Sequence, residues 1–180
     1  RDLHLSIRRQ RQMCIRDSSN TTGIRNTAVG RAALDACNGN SNRHTGIGYG
    51  ALASVTTSQE NTAVGNEAGV YVSTGGYNTL IGSYAGDAIT TGGNNTAVGR
   101  NALGASTTAS GSTAVGYGAL SSLTTATNCV AVGEGAGDAK STGDSLVAVG
   151  RSALSSVTTG NNNTAMGTNA GYALAGGSNN

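Results

Sequence analysis

Few side chains in residues 19–180 could take part in catalysis. This stretch contains one histidine, His44, and two cysteines, Cys37 and Cys129. No Ser–His–Asp or Cys–His set accompanies them, and the acidic residues are scattered. Nucleophilic, acid–base and metal-assisted catalysis each need several such groups brought together. The sequence therefore predicts that the chain is not an enzyme and has no catalytic residue and no cofactor.

Two glycine-rich segments resemble ligand-binding loops in composition only. "GIGYGA" (46–51) and "GEGAGD" (133–138) have the glycine content of phosphate loops, but no helical pattern follows either of them. The Gly-Gly-x-Gly-x-Asp repeat of calcium-binding β-rolls does not occur in the sequence. We therefore predict neither a phosphate site nor a structural metal.

The first 18 residues differ in kind from the rest of the chain. "RRQRQMCIRDS" (8–18) is, residue by residue, the translation of a transposase-type sequencing adapter, and "RDLH" (1–4) matches the accompanying flow-cell oligonucleotide. We interpret residues 1–18 as a non-native segment and expect it to be disordered. Without its five arginines and two aspartates, the formal charge of +2 becomes −1. That charge gives no basis for a nucleic-acid partner or for contact with a membrane.

The composition of the remaining chain allows only a thin hydrophobic core. The sequence has 29 glycines and no proline, phenylalanine or tryptophan, so an ordinary globular core cannot be filled. An internal repeat distinguishes a thin core from disorder, because the motif Asn/Ser-Thr-Ala-Val-Gly returns at intervals of 17 residues, and once of 18. Its large apolar members are Val29, Ile47, Val64, Ile81, Val98, Val115, Val132, Val149 and Met166. The glycines that follow them are Gly30, Gly48, Gly65, Gly82, Gly99, Gly116, Gly133, Gly150 and Gly167.

One repeat unit is too short for a strand and a helix. "NTAVG" favours a strand with Thr27 and Val29 on one face and Ala28 on the other, and "SVTT" (54–57) favours a second strand in each unit. Glycine supplies the corner between them. Such units bury their apolar side chains only by stacking, which predicts an all-β parallel β-solenoid of about nine 17-residue coils over residues 19–180. At the usual strand spacing the rod is roughly 43 Å long.

The repeat also predicts which residues face inward. We expect the large apolar members of the motif to form the core ladder. A second apolar column should face it, broken by Ser106 and Lys140: Cys37, Val55, Val72, Ile89, Leu123, Val157 and Leu174. The small residues on the opposite face of the first strand, such as Ala28, carry no charge, so we expect another copy of the chain to cover them.

The motifs "NTAVGRAAL", "NTAVGNEAG", "STAVGYGAL" and "NTAMGTNAG" resemble the head repeats of YadA-type trimeric autotransporter adhesins and the related repeats of phage tail-fibre shafts. The resemblance implies a left-handed β-roll, a homotrimer, and an extracellular location on a bacterial surface or a virion. The 17-residue unit is longer than that of the adhesin heads, which favours the tail-fibre side. Neither end carries an atypical capping repeat, so we expect an internal fragment of a longer fibre.

A variable column follows the corner glycines and is the candidate adhesive surface. Its main members are Arg31, Tyr49, Asn66, Arg100, Tyr117 and Arg151. Arginine and tyrosine are favoured at interfaces, so a host surface protein or a glycan is the expected partner besides the chain itself. The alternative is that these are ordinary solvated residues on a spacer shaft.

A regular threonine series raises ice binding as an alternative function. Its members are Thr57, Thr74, Thr91, Thr108, Thr125, Thr142 and Thr159. A flat ice-binding surface would require two parallel outward threonine columns, whereas the neighbouring residues Thr56 and Thr57 should point to opposite faces. The sequence therefore predicts only one such column.

Overall fold

The computed structural model describes residues 25–37, 41–174 and 177–180. Residues 1–18, which we interpreted as a non-native segment, lie outside them. These residues form a β-solenoid with nine strands in one parallel sheet, in sequence order. The strands are β1 (Thr27–Val29), β2 (Thr45–Ile47), β3 (Thr62–Val64), β4 (Thr79–Ile81), β5 (Thr96–Val98), β6 (Thr113–Val115), β7 (Val130–Val132), β8 (Val147–Val149) and β9 (Thr164–Met166). No helix occurs within the described ranges. The predicted all-β solenoid of 17-residue coils is confirmed.

Equivalent residues lie directly over one another along the rod. Thr27 pairs with Thr45, and Thr45 pairs with Thr62 in turn. The 18-residue spacing between the first two strands therefore leaves the register unchanged, because the extra residue lies outside the paired segment. The ladder geometry inferred from the repeat is confirmed through all eight strand pairs.

The predicted second strand at 54–57 is wrong: Ser54 ends a turn, and Thr56 and Thr57 lie in a bend. The Val55 amide donates back to the Leu52 carbonyl at 3.4 Å, and the amides of Thr56 and Thr57 both donate to the Ser73 carbonyl, at 3.0 and 3.5 Å, which is not the hydrogen bonding of a strand. In the turn that precedes this segment, Gly50 and Leu52 are left-handed, with φ of 63° and 53°. The Ala53 amide donates to the Gly50 carbonyl at 3.2 Å, within the turn. The Leu52 amide instead donates to the Ala68 carbonyl of the next coil at 3.0 Å. Backbone hydrogen bonds thus still join the coils on this side of the rod.

The predicted core ladder is also wrong, because its side chains point outward. Its nine members are exposed or half-buried: Val29, Ile47, Val64, Ile81, Val98, Val115, Val132, Val149 and Met166. The small residues of the other strand face are the ones that point inward, Ala63 and Ala97 being fully buried. At one of these inward positions even a Cβ is crowded, since one added to Gly46 would lie 3.0 Å from the Ala51 carbonyl oxygen and 3.3 Å from Leu34 Cγ. The expectation that another chain covers the small-residue face is therefore wrong as well.

The second predicted apolar column does face the interior. Val55, Val72 and Ile89 are fully buried, and Ser106 and Lys140 keep the same inward position. A large side chain at one inward position is accompanied by glycines at the positions next to it, so the core stays closely packed. Leu80 replaces the usual alanine, and its methyl groups fill the spaces beside two glycines. A Cβ on Gly69 or Gly86 would lie only 2.6 or 2.7 Å from a Leu80 methyl carbon.

Candidate functional site

The corner glycines determine where the candidate adhesive column lies. Gly48 has φ of 131°, and a Cβ there would lie 2.2 Å from the carbonyl oxygen of Gly65 in the next coil. Only glycine allows this approach of one coil to the next. The residue after each corner glycine points into solvent, and the predicted members Arg31, Tyr49, Asn66, Arg100, Tyr117 and Arg151 are all exposed. We call this file of residues the corner column.

The corner column contains two arginine–tyrosine pairs of the same geometry. The Arg31 guanidinium lies over the Tyr49 ring at 5.6 Å from its centre, and Arg100 lies over Tyr117 at the same distance. Arg100 also donates a hydrogen bond from Nη1 to the Tyr117 hydroxyl, at 3.4 Å. The sequence predicted the column but not this stacking. An arginine followed one repeat later by a tyrosine was the sequence pattern that could have predicted it, because the strand register places the two side chains next to each other.

The outward face of the sheet carries two files of side chains that are mostly β-branched, and we call it the strand face. One file is apolar, with Ile47 37% and Ile81 40% exposed. The other lies two residues earlier along each strand: Thr27, Thr45, Thr62, Thr79, Thr96, Thr113, Val130, Val147 and Thr164. The strand face therefore carries no charge along nine coils.

The predicted threonine column is exposed along the rod, from Thr57 to Thr159. The adjacent file, which begins with Thr56 and Ser73, uses its hydroxyls within the rod. Thr56 Oγ1 donates to the Ser73 carbonyl at 3.2 Å, and Ser73 Oγ donates to the Thr90 carbonyl at 3.1 Å. Only the first of these two files therefore presents its hydroxyls to solvent.

A buried file of asparagines runs through the rod, and we call it the asparagine ladder. Each side chain accepts from the backbone amide of its counterpart in the next coil, as when Asn61 Oδ1 accepts from Asn78 N at 2.9 Å. Each also donates from Nδ2 to a carbonyl 14 residues later, Asn78 to Gly92 at 3.0 Å. In the described residues the file is Asn26, His44, Asn61, Asn78, Asn95, Ser112, Cys129, Leu146, Asn163 and Asn180.

His44 replaces an asparagine and keeps the ladder's hydrogen bonds. Its Nδ1 accepts from the Asn61 amide at 3.1 Å, so the ring proton lies on Nε2, which donates to the Ser58 carbonyl at 3.0 Å. Burial lowers the pKa of His44 below its ordinary 6.5. Ser41 Oγ lies 3.2 Å from Nε2, but a protonated Nε2 cannot act as a base towards it. This buried Ser–His pair is therefore arranged as a structural contact.

Lys140 is fully buried and replaces a missing ladder residue. Leu146 occupies an asparagine position and cannot donate to the carbonyl 14 residues later, that of Gly160. The Lys140 Nζ donates to this carbonyl instead, from the apolar column. Burial lowers the pKa of the Lys140 ammonium. The break in the apolar column is thus explained by a break in the asparagine ladder.

The acidic residues do not assemble into a site. Burial raises the pKa of Asp87 and of Asp138, whereas the Thr127 amide and hydroxyl, 2.7 and 2.9 Å from Asp144 Oδ1, lower the pKa of that carboxyl. Within the described part of the chain, no three side chains of the types that bind metals lie together. Over the same residues, no helix has the length and hydropathy of a membrane span.

Comparisons of the chain with protein-family models, with curated proteins and with solved structures find no match. The resemblance to adhesin-head and tail-fibre repeats therefore stays a prediction made from the residues themselves.

Proposed function

We propose that this chain is a segment of an extracellular fibre, on a bacterial surface or a virion, that acts as a stiff display rod and adheres to host surface proteins or glycans along its side. One observation carries the proposal. Nine strands stack in register over a thin core of alanines and leucines, so that every outward position becomes a straight file along the rod. Such quasi-one-dimensional folds present extended surfaces. The motif resemblance to adhesin and tail-fibre repeats supports the same function.

The fibre segment works as a homotrimer in this proposal, joined through the strand face. That face exposes large apolar side chains along its length, Val29 at 41% and Met166 at 71%. A continuous apolar surface on a water-soluble protein marks an association site, and copies of one chain associate with closed symmetry. From the sequence we expected the chains to meet through the small-residue face. That face is buried inside the chain, so the strand face is the contact surface in this proposal.

Sedimentation equilibrium of the purified chain tests the trimer. We expect three times the chain mass, and a monomer for the double variant Ile81→Glu with Val115→Glu, which places charges at the centre of the strand face. Thr91→Glu, on the exposed threonine column, is the matched control and should stay trimeric. A wild-type chain that sediments as a monomer at micromolar concentration would overturn the trimer.

The origin of the fibre is open to a separate test. Recovering the coding sequence that flanks this segment distinguishes the two classes of fibre. A membrane-anchoring domain encoded downstream would favour an adhesin, and a self-cleaving chaperone domain would favour a tail fibre. A flanking cytosolic enzyme domain would contradict both.

Ice binding is the second candidate function, and one observation favours it. The strand face offers two outward files, Thr and Val, in register on one sheet, which the threonine column alone does not. Ice and a partner chain would compete for this face, so the two functions predict different behaviour. A monomeric wild type that shows thermal hysteresis, lost in the Ile81→Glu, Val115→Glu variant, would favour ice binding. Absence of hysteresis and of ice shaping would exclude it.

A further inference from the structure

We propose that the two arginine–tyrosine pairs of the corner column bind acidic glycans, through the carboxylates of their sugar acids. The inference deepens the proposed adhesive function and rests on it only in requiring that the corner column be exposed on the assembled rod. Its subject is the pair Arg31–Tyr49 and its copy Arg100–Tyr117. The argument depends on the geometry of each pair, on its charge and on the distance between the pairs.

Each guanidinium keeps N–H groups for a ligand. The Arg31 guanidinium carbon lies over the Tyr49 ring, 5.6 Å from its centre, and Arg100 gives only one of its five N–H donors to the Tyr117 hydroxyl. A planar fork of this kind matches a carboxylate with two parallel hydrogen bonds. Because the ring already holds the side chain in place, less conformational entropy is lost on binding. Tyr49 also keeps 46% of its surface exposed, an apolar platform for a sugar ring.

Neither arginine of the two pairs forms an ion pair within the described residues. The ion pair found among the described residues joins Arg43 to Glu60 at 2.7 Å, and it lies away from the corner column. Neither Arg31 nor Arg100 has a carboxylate within salt-bridge distance in that part of the chain. Each therefore offers a full positive charge to an anionic ligand, next to an aromatic ring.

The spacing of the charges favours an acidic glycan over a nucleic acid. Arg31 and Arg100 are four coils apart, roughly 19 Å at the strand spacing of a sheet, and Glu134 adds a negative charge to the same file. Nucleic acids carry a phosphate every few ångströms and are bound by dense basic clusters. A glycan chain with repeated sugar acids can reach both pairs at once, which raises its apparent affinity over that of a single sugar.

Binding of polygalacturonate, a polymer of one sugar acid, tests the proposal against its methyl ester, the same polymer without charge. The protein is the full chain in which the five arginines of residues 1–18 are changed to glutamine, so that this segment adds no positive charge. Biolayer interferometry should show salt-dependent binding of polygalacturonate and at least about tenfold weaker binding of the ester.

Four variants in this background assign the binding to the pairs. Arg31→Gln with Arg100→Gln should weaken binding at least about tenfold, because both forks are removed. Arg31→Lys with Arg100→Lys should also weaken it, since an ammonium keeps the charge but loses the bidentate geometry. Tyr49→Leu with Tyr117→Leu should reduce it less, through the loss of the platform. Arg43→Gln removes one positive charge elsewhere and should bind like the parent.

Three outcomes would overturn the inference. They are equal binding of the polymer and its ester, loss of binding in Arg43→Gln equal to that in the double arginine variant, and tighter binding of a single-stranded DNA of the same charge. The last would instead indicate a general polyanion site. Sedimentation and circular dichroism of each variant distinguish failure of this inference from failure of the proposed fibre. An intact trimer that does not bind polygalacturonate would contradict only the glycan site. A wild-type monomer would contradict the trimeric fibre.

Discussion

Two stretches of the same rod keep their interior hydrogen-bonded in different ways. In the coils that start at Asn61, Asn78 and Asn95, each asparagine accepts from the next coil and donates to a carbonyl 14 residues later. In the following coils these positions hold Ser112, Cys129 and Leu146. Ser112 Oγ still accepts from the Cys129 amide, at a longer 3.3 Å, and Lys140 supplies the donor that Leu146 lacks.

The difference shows that the buried backbone amides and carbonyls of a thin solenoid need hydrogen-bond partners among its own interior side chains. Asn61, Asn78 and Asn95 are buried, so the amides and carbonyls beside them need protein partners. A regular asparagine meets this need with one residue per coil. Where Leu146 takes the asparagine position, a second residue, Lys140, supplies the missing donor.

The largest effect is expected for Asn78→Ala, in the regular stretch. It removes the acceptor of the Asn95 amide and the donor to the Gly92 carbonyl, and it leaves both groups buried. We expect a loss of about 3 kcal/mol or more in the free energy of unfolding, measured by urea denaturation at fixed protein concentration. Asn78→Asp, which keeps the acceptor, should cost less if it is measured at a pH where the carboxyl is protonated. An Asn78→Ala variant as stable as the parent would contradict a structural role for the ladder.

A smaller effect is expected for Lys140→Met, in the irregular stretch. It leaves the Gly160 carbonyl without a donor and should cost about 2 kcal/mol. Adding Leu146→Asn restores an asparagine at the ladder position and should recover most of that loss. The recovery is partial, because Leu146 also fills the space beside Gly137. A double-mutant cycle measures the coupling between the two sites, and additive effects would refute the exchange of donors.

Repair of the irregular stretch should give a gain of about 1 kcal/mol. In Ser112→Asn, the new amide group can accept from the Cys129 amide and donate to the Ala126 carbonyl, as Asn95 does in its own coil. The midpoint temperature of thermal unfolding should rise. Ser122→Asn, at an exposed position of the same coil, is the control and should leave stability unchanged. Destabilisation by Ser112→Asn would mean that the two stretches also differ in interior space.

The smallest effect at neutral pH is expected at His44, where the ladder contains a titratable group. Since burial lowers the folded-state pKa of His44, the unfolded chain takes up a proton below about pH 6.5 while the folded chain does not. Stability should therefore fall as the pH drops from 6.5 through that window and level off below the folded-state pKa. His44→Asn should remove this dependence between pH 7 and 5. An unchanged pH profile in His44→Asn would assign the effect to other groups.

The repeat period made the fold predictable from sequence, whereas the side of the strand that faces inward was not. Identical spacing requires identical residues to stack, so the register of Thr27 over Thr45 and the exposure of Arg31 followed directly. Val64 seemed the better core residue because it is more apolar than Ala63. The bulk of the core comes instead from leucines of the turns, such as Leu52, and the signal was that the other strand face holds almost only alanine and glycine. The strand predicted at 54–57 failed for a different reason: the amides of Thr56 and Thr57 share one acceptor, the Ser73 carbonyl, and this local backbone geometry cannot be inferred from residue type.

The candidate sites were partly hidden for similar reasons. Asparagine is usually a surface residue, so the ladder was read only as part of a motif. Cys129 and Leu146 at the same position of the repeat were the sign of its burial, because an exposed position would not favour these apolar residues. The stacking of Arg31 on Tyr49 needed the register and the corner geometry together.

The close approach of successive corner glycines fixes the step from one coil to the next. A Cβ on Gly48 would collide with the coil beyond it, so neither compression nor a bulkier residue is tolerated at the corner, and each added unit of 17 residues lengthens the rod by the same step of about 4.8 Å. The length of the rod is therefore proportional to the number of its repeats.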